Sequence, residues 1–178
     1  MKKVPYAVCL SLLLCLPILA QNEAPRTEIF GGYSHSIGNA QVWNASVAVN
    51  PNGWFGVVSD FSGLTQKDSE QGVEGRVRAN TYLFGPQFSY RGNKRITWFV
   101  RFLFGATSVN ANATGPDQNV SISDTRFSHG AGGGLDIRIN KVLSIRAIQA
   151  DYIHTSFFDE GQVNGRLSSG IVLRFGGN

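Results

Sequence analysis

The residues of this chain that could do chemistry fall into three groups. Its histidines are His35, His129 and His154, and they could hold zinc only by converging with a further ligand. Solvated or interfacial imidazoles are the simpler expectation. His154-Thr155-Ser156 sets a base two residues from a hydroxyl nucleophile. Such a pair also needs a carboxylate to orient the histidine. Residues 165–175 contain no Asp or Glu, and Asp159 and Glu160 fall in the connection before them, so no catalytic residue is assigned. The third group is a set of charges that recurs among small residues: Glu28, Asp60, Arg101, Asp136, Arg138, Asp151, Arg166 and Arg174. The run from Gly130 to Gly134 opens no helix, so it is not read as a phosphate cradle. No cofactor and no metal are expected.

Cysteine chemistry is excluded by position. Lys2 and Lys3 precede an almost wholly apolar stretch from Val4 to Leu19, and Ala20 offers a small residue before Gln21. This is the layout of a secretory signal peptide, so residues 1–20 are expected to be removed and 21–178 to form one domain. Pro5 and Pro17 interrupt the run and no stop-transfer charges follow, which argues against an uncleaved anchor. Leu14 stands where a lipoprotein at Cys15 would need a small residue. Cys9 and Cys15 both leave with this segment, so the mature chain has no thiol and no disulfide. The formal charge of +4 falls to +2 once Lys2 and Lys3 are gone, and the basic pI is no argument for nucleic acid.

The elements that must position the charges are strands. No apolar run after residue 20 is long enough for a spanning helix. Eight β-rich segments are expected at about 26–35, 41–50, 53–63, 77–90, 95–107, 126–139, 143–156 and 165–175. Asn50-Pro51-Asn52-Gly53, Arg91-Gly92-Asn93-Lys94 and Asn140-Lys141-Val142 read as tight turns after the second, fourth and sixth segments. The other connections are longer and polar, the longest at about 64–76 and 108–125. Short turns at one end and long loops at the other describe an up-and-down meander with both termini on the short-turn side.

Period two runs through the segments. Trp98, Val100, Phe102 and Phe104 share one face, opposite Thr97, Phe99, Arg101, Leu103 and Gly105. Tyr82, Phe84, Pro86, Phe88 and Tyr90 stand opposite Thr81, Gly85, Gln87 and Ser89. Leu167, Ser169, Ile171, Leu173 and Phe175 alternate with Arg166, Ser168, Gly170, Val172 and Arg174. Only the seventh segment breaks the rule: Gln149 and Asp151 share a parity that Arg146 lacks, so either a bulge intervenes or Arg146 faces outward. The charges gather on the small-residue face. In a narrow interior they must pair, and a salt-bridge network filling the lumen is expected in preference to a gated proton or ion path.

A soluble barrel or sandwich would show the same period. Aromatic residues crowding the segment ends, such as Trp54, Phe55, Phe88, Tyr90 and Trp98, favour the interfacial girdles of a membrane barrel. At this point the chain resembles the OmpA/OmpX-type superfamily of small outer-membrane barrels, the outer membrane protein β-barrel domain group, over residues 26–175. The resemblance rests on Ile29-Phe30-Gly31-Gly32-Tyr33-Ser34, Tyr82-Leu83-Phe84-Gly85-Pro86-Gln87, Ala150-Asp151-Tyr152 and a last segment with Ser168, Gly170, Leu173 and Phe175 at the places of the assembly signal. In that group the final aromatic is usually the last residue, whereas here Gly176, Gly177 and Asn178 follow. The resemblance implies an all-β, eight-stranded antiparallel up-and-down transmembrane β-barrel. It also implies insertion by the barrel-assembly machinery into a bacterial outer membrane, and contact with outer-membrane lipids and lipopolysaccharide. A monomer is expected, with outer loops free for a surface ligand and no peptidoglycan-binding domain. A structural or surface-binding role is expected. A soluble periplasmic or secreted binding barrel and a lipid A-modifying hydrolase are the alternatives, the latter because His154-Thr155-Ser156 resembles the His-x-Ser pair of outer-membrane lipid A deacylases.

Overall fold

Tight turns organise the chain. Asn52 Oδ1 accepts hydrogen bonds from the backbone N–H groups of Trp54 (3.1 Å) and Phe55 (2.8 Å), and Asn140 Oδ1 accepts those of Val142 (2.9 Å) and Leu143 (2.7 Å). Each asparagine side chain thus replaces backbone partners where the chain reverses. The computed structural model describes residues 24–36, 41–70, 73–92, 95–114, 119–157 and 160–176. The leader expected at 1–20 and its cut at Ala20 lie outside the described residues.

Eight strands close into one antiparallel barrel: β1 (Thr27–Ser36), β2 (Gln41–Val49), β3 (Phe55–Glu70), β4 (Val73–Tyr90), β5 (Ile96–Thr114), β6 (Asn119–Arg138), β7 (Leu143–Phe157) and β8 (Glu160–Phe175). Each pairs with its sequence neighbours, and β1 meets β8 from Thr27↔Phe175 to Ser36↔Arg166 to complete the ring. The start of β1, the end of β8 and the β2–β3, β4–β5 and β6–β7 connections share one end, the turn end, and the longer hairpins share the other. Among the described residues, closure leaves no strand edge unpaired between the turn end and the Val42↔Leu64 and Ser36↔Arg166 pairs, as a hydrocarbon environment demands.

Two expected loops are strands. Residues 64–76 and 108–125 continue β3–β4 and β5–β6 as paired hairpins, with Glu70↔Val73 and Thr114↔Asn119 at the tips. Thr65 to Glu70 are polar at both parities, and the alternation of Val109, Ala111, Ala113, Val120 and Ile122 is carried by small residues and interrupted by Gly115-Pro116, so the apolar signal that revealed the lower strands is weak here. β8 likewise starts at Glu160, so Glu160 opens a strand rather than sitting in a loop.

Facing follows the expected parity, and the polarity is inverted relative to a soluble barrel. The exterior presents Trp43, Val47, Phe61, Tyr82, Phe84, Trp98, Val100, Phe102 and Ile171, all exposed. The interior buries Glu28, Asn44, Asp60, Gln87, Arg101, Asp136, Asp151, Arg166 and Arg174. At the turn end Trp54 stacks on Phe88 at 6.0 Å, and Tyr90 and Trp98 stand exposed beside them. Tyr33, Trp43, Tyr82, Phe127 and Tyr152 mark the other limit of the apolar band. From Tyr90 to Tyr82 along tilted β4 the band is roughly 20 Å tall, near the height of a membrane barrel's apolar belt.

The β5–β6 hairpin stands beyond that band and adds nothing to it. Replacing residues 110–123 by Asn-Gly should leave Val109↔Asp124 as its last pair and the barrel intact. Heat-modifiable migration on a gel checks this; its loss would show that the projecting ladder is needed to close the barrel.

Candidate functional site

The interior side chains form layers, and their placement starts from the backbone. On β6, Gly132 and Gly134 face inward, where a Cβ would collide with the Asp151 carboxylate and the Phe99 ring respectively. Glycine here makes room for a close approach rather than for an unusual backbone angle. On β7 the register shifts: Leu135 pairs with Ile148 but Asp136 pairs with Arg146, leaving Ala147 as an extra residue. This bulge turns Arg146 and Gln149 to the same side, and Arg146 Nη1 donates to Gln149 Oε1 at 2.7 Å. Arg146 therefore faces inward, which settles the alternative that period two left open.

The central layer is a closed ring of two acids and two bases. Arg101 pairs with Asp60 at 3.0 Å and with Asp151 at 2.8 Å, and Arg166 pairs with each of the same acids at 2.9 Å. Arg101 and Asp60 side chains are both 0% exposed. Gln149 Nε2 donates to Asp151 at 2.8 Å and Asn44 Nδ2 to Asp60 at 3.1 Å, so neutral amides supply further donors to both carboxylates. Five strands, β2, β3, β5, β7 and β8, are tied across the lumen by this layer. The formal charges cancel within it, the condition under which buried ions are tolerated.

A second layer lies toward the turn end. Arg146 pairs with Asp136 at 2.8 Å, Arg174 approaches Asp136 at 3.9 Å and Glu28 at 3.3 Å, and Arg91 reaches Glu28 at 3.3 Å. Arg91 also donates to the Gly53 carbonyl, tying one short turn to another. Three arginines share two carboxylates here. Arg146 is further held between the Phe30 and Phe99 rings, 4.4 and 4.3 Å from their centroids, and the two ring faces offer it negative potential in place of a third acid.

Toward the hairpin end the layer is hydroxylic. Thr81, Thr107, Ser128 and Thr155 join four neighbouring strands at 3.1, 2.8 and 2.7 Å, and Ser34 meets Ser168 at 2.6 Å. Ala48, Val58, Leu83, Leu103 and Ile153 form an apolar cluster along the same inward faces. A cavity of about 260 Å³ opens above, lined by Thr81, Thr107, Thr155 and Arg166 among others.

Seven of the eight charges expected inside take part in these layers. Arg138 is the exception: it is only half-buried at the turn end, and its Nε has no hydrogen-bond partner among the described residues. Arg91 and Arg146 complete the layers in its place. Arg91 lies at a turn, where no strand period could reveal it.

The histidines face out. His129 and His154 are register partners across β6–β7 with ring centroids 5.2 Å apart, while His35 lies on β1 opposite Gln41 and Leu167. Thr155 is buried in the hydroxyl layer, and His154 meets His129 rather than a carboxylate. Among the described residues no three His, Cys, Asp or Glu converge as a metal site.

An apolar exterior around an ion-paired interior defines a transmembrane β-barrel, and the comparisons agree. The profile of the Outer membrane protein beta-barrel domain matches residues 6–175, and the chain belongs to that family. Ail, the attachment invasion locus protein of Yersinia pestis, is similar in fold: TM-score 0.66 and 23% identity over 85% of this chain and 99% of Ail. Neisserial surface protein A has a TM-score of 0.60 at 8% identity, over 84% of this chain and 96% of its own. The N-terminal barrel domain of Pseudomonas aeruginosa OprF has a TM-score of 0.50 at 13% identity, over 84% of this chain and 96% of that domain. A search of curated proteins found no match.

Two outcomes follow for the layers. Asp151→Asn leaves two guanidinium groups short of a counter-charge and should cost about 3–5 kcal/mol in urea unfolding from lipid vesicles. A cost below about 1 kcal/mol would show that the ring does not hold the barrel. In a double-mutant cycle, Phe99→Leu and Arg146→Met should couple by about 1–2 kcal/mol; additive effects would mean the ring face contributes packing alone.

Proposed function

We propose that this protein is exported through its N-terminal leader to the bacterial outer membrane, carries no solute through its lumen, and acts at the cell surface through its projecting hairpins. The observation that carries this reading is the pairing of a lumen spanned by buried ion pairs with two β-hairpins that run on past the apolar band. The start of β1, the end of β8 and the short turns share one end, which in outer-membrane barrels is the periplasmic one. The hairpins of β3–β4 and β5–β6 then stand outside, where contact with other surfaces is made.

The names of similar structures favour a surface role. Ail is an attachment invasion protein, and one structure of it is a complex with the heparin analogue sucrose octasulfate. In this chain the β3–β4 hairpin carries Lys67, Arg76 and Arg78 with Asp68, Glu70 and Glu74. Its charges balance, so contact through it rests on local hydrogen bonding and shape rather than on gross attraction to a polyanion. The β5–β6 hairpin is rich in Asn, Ser and Thr and points the same way. A soluble binding barrel would require the aromatic exterior to meet water, and a hydrolase would require a carboxylate at His154; neither requirement has support in the described residues.

Expression in a diderm bacterium tests the reading. The protein should accumulate in the outer-membrane fraction and resist carbonate extraction. Replacing residues 66–77 and 110–123 by Asn-Gly should preserve insertion and remove attachment of the cells to surfaces that they otherwise bind. Recovery in the soluble fraction would overturn the membrane placement. Attachment that survives both replacements would overturn the role of the hairpins.

A further inference from the structure

Outside the layers of the lumen, His129 and His154 form an ionisable pair in the barrel wall. They are directly opposed on neighbouring strands, both on the outer face, with centroids 5.2 Å apart and planes inclined at 45°. Phe127 lies against the His129 ring at 6.0 Å and 29°, restricting its rotation from the hairpin side. The bulge at Ala147 is what puts His154 on this face, because without the extra residue the parity of β7 beyond it would be reversed.

The separation has a chemical meaning. A zinc ion held by one nitrogen of each ring at about 2.1 Å sits roughly 3.2 Å from each ring centroid, and a tetrahedral angle between the bonds separates the centroids by about 5.3 Å. The structure already holds the rings at that spacing. The strand ladder fixes both backbones, so only side-chain rotation is left to be lost on binding. Two positions of a tetrahedral ion would stay open on the outer surface.

We propose that His129 and His154 form a two-histidine clamp for a divalent transition cation, with Zn2+ as the representative ion. The open positions take water or an oxygen donor from the surroundings. Imidazole pairs select zinc and copper over calcium and magnesium, which prefer oxygen ligands. The rings lie level with Phe127 and Tyr152, at the hairpin-end limit of the apolar band. Placement of the ion at the outer membrane boundary rests on the proposed function; the clamp itself does not.

The test uses the full-length mature protein in detergent, carrying no histidine tag. Titration calorimetry with Zn2+ should give one ion per chain. His129→Gln and His154→Gln should each weaken binding at least tenfold, while His35→Gln should change it less than twofold. Bound Cu2+ should show the hyperfine pattern of two nitrogen ligands in electron paramagnetic resonance, reduced to one in either variant. Heat-modifiable migration shows that each variant is folded, and it should be unchanged because both rings are on the outer face. Absence of saturable Zn2+ binding, or binding that persists in His129→Gln, would overturn the clamp. The result in detergent is independent of whether the protein reaches the outer membrane or its hairpins bind anything.

Discussion

The structure depends on the ring of Arg101, Asp60, Arg166 and Asp151. Each of these ions is withdrawn from water, and none could be held there alone, since the desolvation penalty of an isolated buried charge is several kcal/mol. Alternating pairing solves this: each carboxylate meets two guanidinium groups and each guanidinium meets two carboxylates. The arrangement needs particular strands at particular heights. A slip of one residue in β3, β5, β7 or β8 would turn its charge to the apolar exterior. The ring thus supplies a specificity of register that the outward aliphatic and aromatic residues, being interchangeable in lipid, do not.

Backbone features elsewhere serve the same packing. Gly132 and Gly134 leave space on β6 for Asp151 and Phe99. The bulge at Ala147 brings Arg146 inward beneath Gln149, and Gln149 in turn donates to Asp151. The two ionic layers are connected through that one amide. The aromatic faces of Phe30 and Phe99 balance the extra cation of the lower layer, so ionic and aromatic packing meet in this interior.

Much of this is legible in the residues. Strand number, turn positions and facing follow from period two and from the turn chemistry of Asn and Gly, because one face of every strand meets an apolar surround. The central ring is legible as a set of inward charges, though not as particular pairs, since pairing depends on relative strand heights that one chain's pattern does not contain. Arg146 is ambiguous because a bulge resets parity without a distinctive residue at the site. The strand extensions at 64–76 and 108–125 are hidden for a different reason: Thr65 to Glu70 are polar at both parities, and the alternation of Val109, Ala111, Ala113, Val120 and Ile122 is carried by small residues and broken by Gly115-Pro116. The approach of His129 to His154 requires the register across β6–β7, which follows from that same bulge.

Closure of the lumen by paired charges is tested most directly by single-channel recording in planar lipid bilayers. Purified protein should insert without producing a steady conductance, and Arg101→Ala with Arg166→Ala should introduce current by removing both cations of the ring. A large, stable conductance from the unaltered protein would contradict closure by ion pairs.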